Sequence, residues 1–357
     1  MTTIMASAPG KAVLLGEYAV LEGAPALVMA VDRRARVRLA PCESPDSWIE
    51  VPQLGLAPIG FRVAENGEIL WRGADVEQAV FQRARLLLEW LVPRHAARLP
   101  AGGGLRIRID TGELYQQRKA GPVKLGLGSS AAMTVALAGA LEALGAVMSR
   151  AAVVARLEQQ LLAPYRAGQD GRASGIDLAA SLHGGVCRYQ LDPAGAHAEP
   201  VVLPGALKLA FVWTGEAAST PDFLARYARW RAASPGQAAQ MSQSLESACR
   251  AGLDAVRSDD AAGLMTCINN YGRLMGRIGD LAGLPVVSAP LVEIARTAAT
   301  HGLACKPCGA GGGDLAMLAG TEEAALEQAC RSLASRGWPR LELGPASRGL
   351  QIETSPA

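Results

Sequence analysis

Short apolar runs separated by turns dominate the first third of the chain. Residues 12–15 and 26–31 are apolar, and residues 33–39 alternate between basic and apolar positions with the period of a half-buried strand. Residues 105–110 alternate in the same way, whereas residues 76–98 are rich in Val, Leu, Ala and Arg and predict a helix. The pattern predicts mixed strand and helix, with the arginines of residues 33–39 on a solvated face.

The segment from Ser129 to Leu144 is apolar nearly all round and predicts a buried helix. Serines stand where its amino end should be capped, and Gly145 stands where the helix should end. A polar, glycine-bearing loop over residues 166–175 leads into a helix that begins at Ile176. The other predicted elements are helices at about 150–163, 238–257, 260–279, 289–301 and 322–336, and strands at 207–213 and 315–319.

Length and composition fit two ordinary domains. The chain has 357 residues, and half of them are apolar, which is enough to bury two cores. Residues 192–200, Asp-Pro-Ala-Gly-Ala-His-Ala-Glu-Pro, are rich in turn formers and lie between two apolar stretches. We therefore expect an amino-terminal domain at residues 1–195 and a carboxy-terminal domain at residues 196–357.

The charge and the cysteine content indicate which kinds of binding partner and which cellular compartment to expect. Lys and Arg number 35 and Asp and Glu number 33, a net charge of +2 without the basic clusters that nucleic-acid binding requires. The seven cysteines are scattered and odd in number, which favours a reduced, cytoplasmic protein. We expect neither an export signal nor a membrane span, because no sufficiently long apolar run occurs.

Residues 122–131, Pro-Val-Lys-Leu-Gly-Leu-Gly-Ser-Ser-Ala, form a glycine-rich loop at the start of the predicted buried helix. Small residues let the backbone approach a ligand, and the unpaired amides and the helix dipole favour phosphate. The two serine hydroxyls suit phosphate oxygens or a magnesium ion. A dinucleotide-binding formula also matches, without the expected following strand, and a plain turn into a helix is a further alternative. The Walker phosphate-binding pattern is absent.

Two further segments place small residues beside charged ones. Residues 8–23 put a lysine, two acids and three glycines into a short strand-turn-strand, and residues 306–314, Lys-Pro-Cys-Gly-Ala-Gly-Gly-Gly-Asp, form a second glycine loop. Together with residues 122–131, in this order, they resemble the three signature motifs of the superfamily of galactokinase, homoserine kinase, mevalonate kinase and phosphomevalonate kinase (GHMP kinases). The resemblance extends from Ala8 to Ala319.

This resemblance implies an α+β, two-domain GHMP kinase fold, with a ribosomal-S5-like amino-terminal domain and a ferredoxin-like carboxy-terminal domain. It also implies ATP and Mg²⁺ as cofactors, with the ATP phosphates over the central glycine loop and the acceptor between the domains. The expected partners are small-molecule substrates, ATP and 5-phosphomevalonate, bound by a monomer or homodimer, with no nucleic-acid or membrane partner.

Several details resemble the phosphomevalonate kinase branch. The chain has Tyr18 after Gly-Glu, where mevalonate kinases usually carry histidine, and its third motif departs from the phosphomevalonate kinase pattern only at Cys308. Mevalonate kinases place a magnesium-binding glutamate eleven residues before the aspartate that corresponds to Asp177, and this chain has Arg166 there. The resemblance implies transfer of the terminal phosphoryl group of ATP to the phosphate of 5-phosphomevalonate.

The resemblance also implies residue roles. Lys11 is the candidate catalytic cation between donor and acceptor phosphates, and Asp177 is expected to orient Lys11 or to act on the metal. Glu17 is expected to support Lys11, and Ser130 is the candidate magnesium ligand. The candidate ATP-phosphate contacts are Gly126, Leu127, Gly128, Ser129, Ser130 and Ala131. The candidate substrate contacts are Lys11, Tyr18, Arg166, Arg172, Ser174, Lys306, Gly311 and Gly312, with Asp314 as a supporting residue.

Three other functions stay open. A mevalonate kinase would have the same fold with an alcohol acceptor, and a diphosphomevalonate decarboxylase would lack this kind of Gly-Gly-Gly-Asp loop. A catalytically silent ligand sensor on the same fold predicts damaged catalytic positions, whereas Lys11, Ser129, Ser130 and Asp177 are intact.

Overall fold

The computed structural model describes residues 2–64, 66–72, 79–95, 98–99, 103–118, 121–144, 148–169, 171, 173–193, 195–216 and 220–356. The strands are β1 (Thr2–Leu15), β2 (Ala26–Cys42), β3 (Ser47–Glu50), β4 (Ile59–Val63), β5 (Ile69–Arg72), β6 (Gly104–Asp110), β7 (Tyr115–Arg118), β8 (Gly121–Lys124), β9 (Val186–Asp192), β10 (Gly195–Val201), β11 (Lys208–Trp213), β12 (Ala304–Cys308), β13 (Leu315–Gly320), β14 (Arg340–Leu341) and β15 (Gln351–Pro356). The helices are α1 (Ala79–His95), α2 (Ser129–Glu142), α3 (Arg150–Gln160), α4 (Leu162–Ala167), α5 (Ile176–His183), α6 (Thr220–Ala233), α7 (Pro235–Arg257), α8 (Ala261–Ala282), α9 (Ala289–Thr300) and α10 (Glu323–Ala334).

A nine-stranded sheet occupies the amino-terminal part of the molecule. Its main path runs β10-β9-β2-β6-β3-β4-β5, and β1 pairs with both β2 and β15. Strand β2 of the β1–β2 hairpin connects the two halves of this sheet, because its first part pairs with β9 and its second part pairs with β6. The predicted strand at residues 105–110 is confirmed as β6, and the predicted strand at residues 33–39 is confirmed as part of β2, which also includes the apolar run of residues 26–31.

Helix α2 crosses one face of this sheet and is buried along its length. It packs against β1, β2, α1 and α5, and every residue from Ala131 to Glu142 is buried. The predicted helix is thus confirmed, but its amino-terminal cap is Gly128 in the left-handed region, and no side chain makes a capping hydrogen bond. The serines stand in the first turn instead, which leaves their hydroxyls available to another partner.

The second sheet of the molecule has four antiparallel strands, in the order β12-β13-β11-β14. Alternate residues face opposite sides, as the two-residue period of a strand requires. Phe211 and Met317 belong to the large core that also contains residues of α7 and α8, whereas Val212 and Leu318 belong to a smaller core with α9 and α10. The expected α+β class is confirmed.

The predicted domain boundary, between residues 195 and 196, falls within a strand of the first sheet. Strand β10 pairs with β9 in the first sheet, from Gly195 opposite Asp192 to Val201 opposite Val186. The turn formers of residues 192–200 therefore belong to a hairpin rather than to a linker. Strand β15 also pairs with β1, so the first sheet includes residues 351–356 from the far end of the chain. The predicted division at residues 195 and 196 does not follow the sheets.

Two general expectations concern cysteines and membranes. All seven cysteines lie within the described residues, and none of them forms a disulfide. Within the described ranges, no helix combines the length and the apolar character needed to cross a bilayer.

Candidate active site

A cleft of about 480 Å³ lies where the three glycine-bearing segments meet. It is lined from β1 and the turn after it, from the loop before α2, from the start of α5, and from the loop between β12 and β13. The candidate residues among those that line it are Lys11, Glu17, Tyr18, Gly126, Leu127, Gly128, Ser129, Ser130, Ser174, Asp177 and Asp314. The segments that were far apart in sequence therefore converge on one site.

Lys11 lies between two of these loops. Its amide donates a hydrogen bond of 2.8 Å to the carbonyl oxygen of Leu127, and its Nζ donates one of 3.0 Å to the carbonyl oxygen of Gly126. A Cβ atom built on Gly309, in the loop between β12 and β13, would lie 3.8 Å from Nζ. The ammonium group is thus fixed where the central glycine loop and the third loop face each other.

Glycine is required in the central loop by both conformation and space. Gly126 and Gly128 have φ angles of +75° and +73°, a region that side chains disfavour. A Cβ on Gly126 would lie 2.5 Å from the side chain of Asp314, and a Cβ on Gly128 would lie 3.0 Å from Cγ of Lys11. The loop can approach a ligand and both side chains only because these positions are bare.

The predicted phosphate contacts present backbone amides and hydroxyls at the amino end of α2. Ser129 and Ser130 line the cleft, and Oγ of Ser130 is buried without a hydrogen-bond partner among the described residues. Ala131 is buried inside the first turn, and the side chain of Leu127 is buried behind the loop. An unsatisfied buried hydroxyl is rare and calls for a ligand, a water molecule or an ion.

Asp177 lies in the first turn of α5, on the other side of Gly128 from Lys11. Its Oδ2 accepts a hydrogen bond of 2.5 Å from the hydroxyl of Tyr165, and its Oδ1 accepts one of 3.1 Å from the amide of Leu178. Burial raises the pKa of Tyr165 well above its usual value, and the charge of Asp177 raises it further. Lys11 and Asp177 do not form an ion pair, so the expected orientation of Lys11 by Asp177 does not take place through direct contact.

Tyr18 connects the first loop to the third. It has an unusual φ of +63°, and its hydroxyl donates a hydrogen bond of 2.5 Å to the carbonyl oxygen of Ala310. Its ring lies 4.8 Å from that of Tyr227, and burial, with the charge of Glu17, raises the pKa of its hydroxyl. Tyr18 lines the cleft as predicted, and it also closes one wall.

Lys306 is not placed to bind a substrate, which corrects the sequence prediction. Its Nζ donates to the carbonyl oxygens of Val13 and Pro307 and to Oε1 of Glu17, and the residue is 1% exposed. Three acceptors use all three ammonium hydrogens. Glu17 likewise pairs with Lys306 and accepts from the amide of Gly309, rather than supporting Lys11 directly.

The glycines of the third loop also differ from their predicted role. A Cβ on Gly311 would lie 2.4 Å from the carbonyl oxygen of Val286, and a Cβ on Gly312 would lie 2.3 Å from the ring of Phe223. The amide of Gly312 already donates to the carbonyl oxygen of Val286. These glycines allow the loop to pack against its own domain, and Gly309 and Ala310 face the cleft instead.

The remaining substrate candidates are Arg166, in the last turn of α4, Arg172 and Ser174. Ser174 lines the cleft, whereas the guanidinium of Arg166 donates two hydrogen bonds to the carbonyl oxygen of Gly171 and does not line it. Arg172 lies outside the described residues. Arg166 therefore holds the loop in place, which is a correction to its predicted contact with the substrate.

Sequence reasoning missed two cations of the cleft, Arg83 of α1 and Lys124 of β8. Lys124 stands inside the predicted phosphate motif, two residues before Gly126, so its position was a usable signal. Arg83 stands in a helix with other arginines, and nothing in the local pattern distinguishes it. Its place in the cleft depends on how α1 packs against α2.

The donor set fits a magnesium ion held mainly by phosphates. Among the described residues, no group of three or more acidic, histidine or cysteine side chains could hold a metal by itself. The cleft does bring together the Ser130 hydroxyl and the carboxylates of Asp177 and Asp314. Magnesium in phosphoryl-transfer sites typically takes one or two protein ligands, with phosphates and water supplying the rest.

Comparison with known proteins decides the family. The model of the GHMP kinases N terminal domain matches residues 88–185. A phosphomevalonate kinase from Streptomyces sp. (strain CL190) is 30% identical, over 98% of this chain and 98% of that protein. The chain belongs to the GHMP kinase family.

Other comparisons agree with this family and its fold. A mevalonate kinase from Thermococcus gammatolerans is 28% identical over 98% of both chains. The structure of Streptococcus pneumoniae phosphomevalonate kinase in complex with phosphomevalonate and AMPPNP superposes with a TM-score of 0.73 at 18% identity, covering 96% of this chain and 99% of that one. The two-domain GHMP kinase fold is therefore confirmed, and this GHMP kinase carries its three motifs around one cleft.

Proposed function

We propose that this GHMP kinase transfers the terminal phosphoryl group of ATP to the phosphate of 5-phosphomevalonate. The observation that carries the proposal is the position of Lys11, whose ammonium lies between the central glycine loop and the third loop. A cation at that point can contact a donor phosphate on one side and an acceptor phosphate on the other. The 30% identity with a phosphomevalonate kinase over nearly the full length supports this acceptor.

The chemistry requires charge neutralisation more than proton transfer. A phosphate monoester has its second pKa near ~6 and is largely a dianion at neutral pH, so it can attack without a general base. The difficulty is to hold two polyanions together in line. The ammonium of Lys11 and the amide groups at the start of α2 supply positive charge and donors where the negative charges meet.

Asp177 acts in this proposal as a fixed carboxylate beside the reaction centre. Its two oxygens accept hydrogen bonds from Tyr165 and from the amide of Leu178, which hold the carboxylate in one orientation. Asp177 and Lys11 both lie beside Gly128, since a Cβ there would be 3.8 Å from Cβ of Asp177 and 3.0 Å from Cγ of Lys11. From this position Asp177 would hold a magnesium ion without forming an ion pair that would neutralise Lys11.

Magnesium, when bound, would neutralise the donor phosphates and orient them for in-line transfer. Ser130 and Asp177 are the proposed protein ligands, with Asp314 close by across Gly126. Arg166 stands in the sequence where mevalonate kinases have a magnesium-binding glutamate, so this chain lacks that acidic ligand. A site with fewer carboxylates suits an acceptor that is itself a phosphate.

Mevalonate kinase is the second candidate, because the Thermococcus gammatolerans mevalonate kinase matches nearly the whole chain. Steady-state ADP release with ATP and either mevalonate or 5-phosphomevalonate distinguishes the two. We expect kcat/KM to be at least about 10²-fold higher with 5-phosphomevalonate, because a pocket built for a phosphate discriminates strongly against an acceptor that lacks it. A preference for mevalonate would overturn the proposed acceptor and leave the family assignment unchanged.

A further inference from the structure

Two cations of the cleft have no role in the reaction described above. Arg83 lies in α1 and Lys124 is the last residue of β8, and both line the cleft. Within the described part of the chain, neither side chain takes part in an ion pair, whereas Arg85 on the same helix pairs with Glu89 at 2.7 Å. The cleft therefore holds positive charge that the protein itself leaves without a salt bridge.

Arg83 and Lys124 act on each other. Although part of the Lys124 side chain is exposed, desolvation in the cleft lowers the pKa of its ammonium, and the charge of Arg83 lowers it further. Asp314 acts in the opposite direction, but the net shift is downward. Two like charges in one cleft disfavour one another, and an anion bound there would offset that repulsion.

Unused hydrogen-bond donors lie at the same place. Oγ of Ser130 is buried without a partner among the described residues, and the amide of Gln169, which acts on the Tyr165 hydroxyl through one N–H, has a second N–H to offer; both residues line the cleft. Gln169 and Arg83 also share the wall of a small adjoining cavity. A hydroxyl, an amide NH₂, a guanidinium and an ammonium together offer many donors, which is the pattern of an anion site.

We propose that Arg83 and Lys124, with Ser130 and Gln169, bind the phosphate tail of the nucleotide. This inference rests on the proposed kinase function. Lys124 stands directly before the central glycine loop, and Arg83 lies on α1, which packs against α2, so both cations line the cleft to which the amino end of α2 contributes. The acceptor side of the cleft is formed instead by Tyr18 and the third loop.

Equilibrium binding of ADP to the full-length enzyme, measured by calorimetry, tests the inference. We expect Arg83→Met and Lys124→Met each to raise the Kd for ADP about tenfold, the loss of one charge-assisted contact. Lys124→Arg should keep most of the affinity. Arg85→Met is the matched control, because Arg85 lies on α1 outside the cleft, and its Kd for ADP should equal that of the wild type.

A second titration with 5-phosphomevalonate alone identifies which phosphate the cations bind. Its Kd should stay unchanged in both variants. An unchanged Kd for ADP in the Lys124→Met enzyme, or a loss of acceptor affinity with ADP affinity intact, would overturn the inference. ADP binding needs no acceptor, so an error in the proposed acceptor would leave this result interpretable. Thermal unfolding by circular dichroism checks each variant, and the partly exposed Lys124 decides the question if Arg83→Met does not fold.

Discussion

Nζ of Lys306 lies 2.5 Å from Oε1 of Glu17, in an ion pair that is buried on both sides. Lys306 belongs to β12 of the second sheet, and Glu17 follows β1 of the first. The same carboxylate oxygen accepts from the amide of Gly309, which begins the third loop. One ion pair thus joins the two sheets at the edge of the cleft and fixes the start of a loop that lines it.

Removing one charge of this pair should lower the free energy of unfolding far more than removing both charges. Lys306→Met leaves the Glu17 carboxylate buried without its cation, and we expect a loss of about 3–5 kcal/mol in the free energy of unfolding. The double variant Glu17→Gln/Lys306→Met removes both charges and should recover most of that loss. Urea denaturation measures both values.

An exposed pair provides the comparison for Lys306 and Glu17. Arg250 and Glu246 lie 2.6 Å apart on the surface of α7, and Arg250→Met should cost less than about 1 kcal/mol. If Lys306→Met lowered the free energy of unfolding as little as Arg250→Met, the buried pair would contribute no more to stability than the exposed one.

Lys11 should affect turnover much more than folding. Lys11→Met removes the cation between the two glycine loops, and we expect kcat to fall by about 10²-fold or more. Its Nζ makes one hydrogen bond, to Gly126, so stability should change by about 1 kcal/mol or less. Steady-state kinetics together with urea denaturation separate the two effects. Wild-type kcat in Lys11→Met would remove Lys11 from the mechanism.

Ser130 and Ser149 should respond in opposite ways to alanine. Within the described ranges Oγ of Ser130 has no hydrogen-bond partner, so Ser130→Ala should leave stability unchanged or slightly higher while weakening ADP binding several-fold. Oγ of Ser149 caps α3 by accepting from the amide of Ala152, so Ser149→Ala should cost about 1 kcal/mol without affecting ADP binding. Calorimetric titration and thermal unfolding test both variants, and equal ADP affinity in the two would contradict the assignment of Ser130.

Glu142 should make stability depend on acid pH. Burial opposes its ionisation, but the hydrogen bond from His95 and the charges of His95 and Arg156 outweigh burial, so the pKa of Glu142 lies below its usual 4.5. A lowered pKa in the folded state contributes stability that is present above the unfolded value and is lost as pH falls through the folded one. Glu142→Gln should therefore destabilise the protein at neutral pH, and its difference from the wild type should shrink as the pH falls below 4.5.

Unfolding of both proteins in urea across this pH range measures the effect. The exposed Glu246 supplies the control, because Glu246→Gln should leave the pH dependence unchanged. A constant difference between Glu142→Gln and wild type from neutral to acid pH would show that ionisation of Glu142 does not contribute.

The sequence predicted correctly the features that depend on residues close together in the chain. The loop before α2 and the helix itself follow from glycines, small residues and an apolar run, and the structure places both as expected. Lys306 was assigned to the substrate because a motif does not reveal burial, and its partners Val13 and Glu17 are almost 300 residues away in the chain. Arg83 was missed for a similar reason, since only the packing of α1 on α2 brings it to the cleft.

The hairpin of β9 and β10 shows that turn-forming residues do not by themselves distinguish a hairpin from a domain boundary. Asp192 and Gly195 mark a turn correctly, but the same residues could end a domain or join two paired strands. Only pairing across Tyr189 and Ala198 decides between them, and pairing is a property of the folded sheet.

The antiparallel pairing of β15 with β1 connects residues 351–356 to the strand that carries Lys11. Residues 351–356 cover the outer edge of the strand whose other half carries Lys11. Deletion of those residues would leave a bare sheet edge, open to intermolecular pairing and able to fray toward the reaction centre. Removal of residues 351–356 would therefore alter a support of Lys11, the proposed catalytic residue, although the two lie far apart in the sequence.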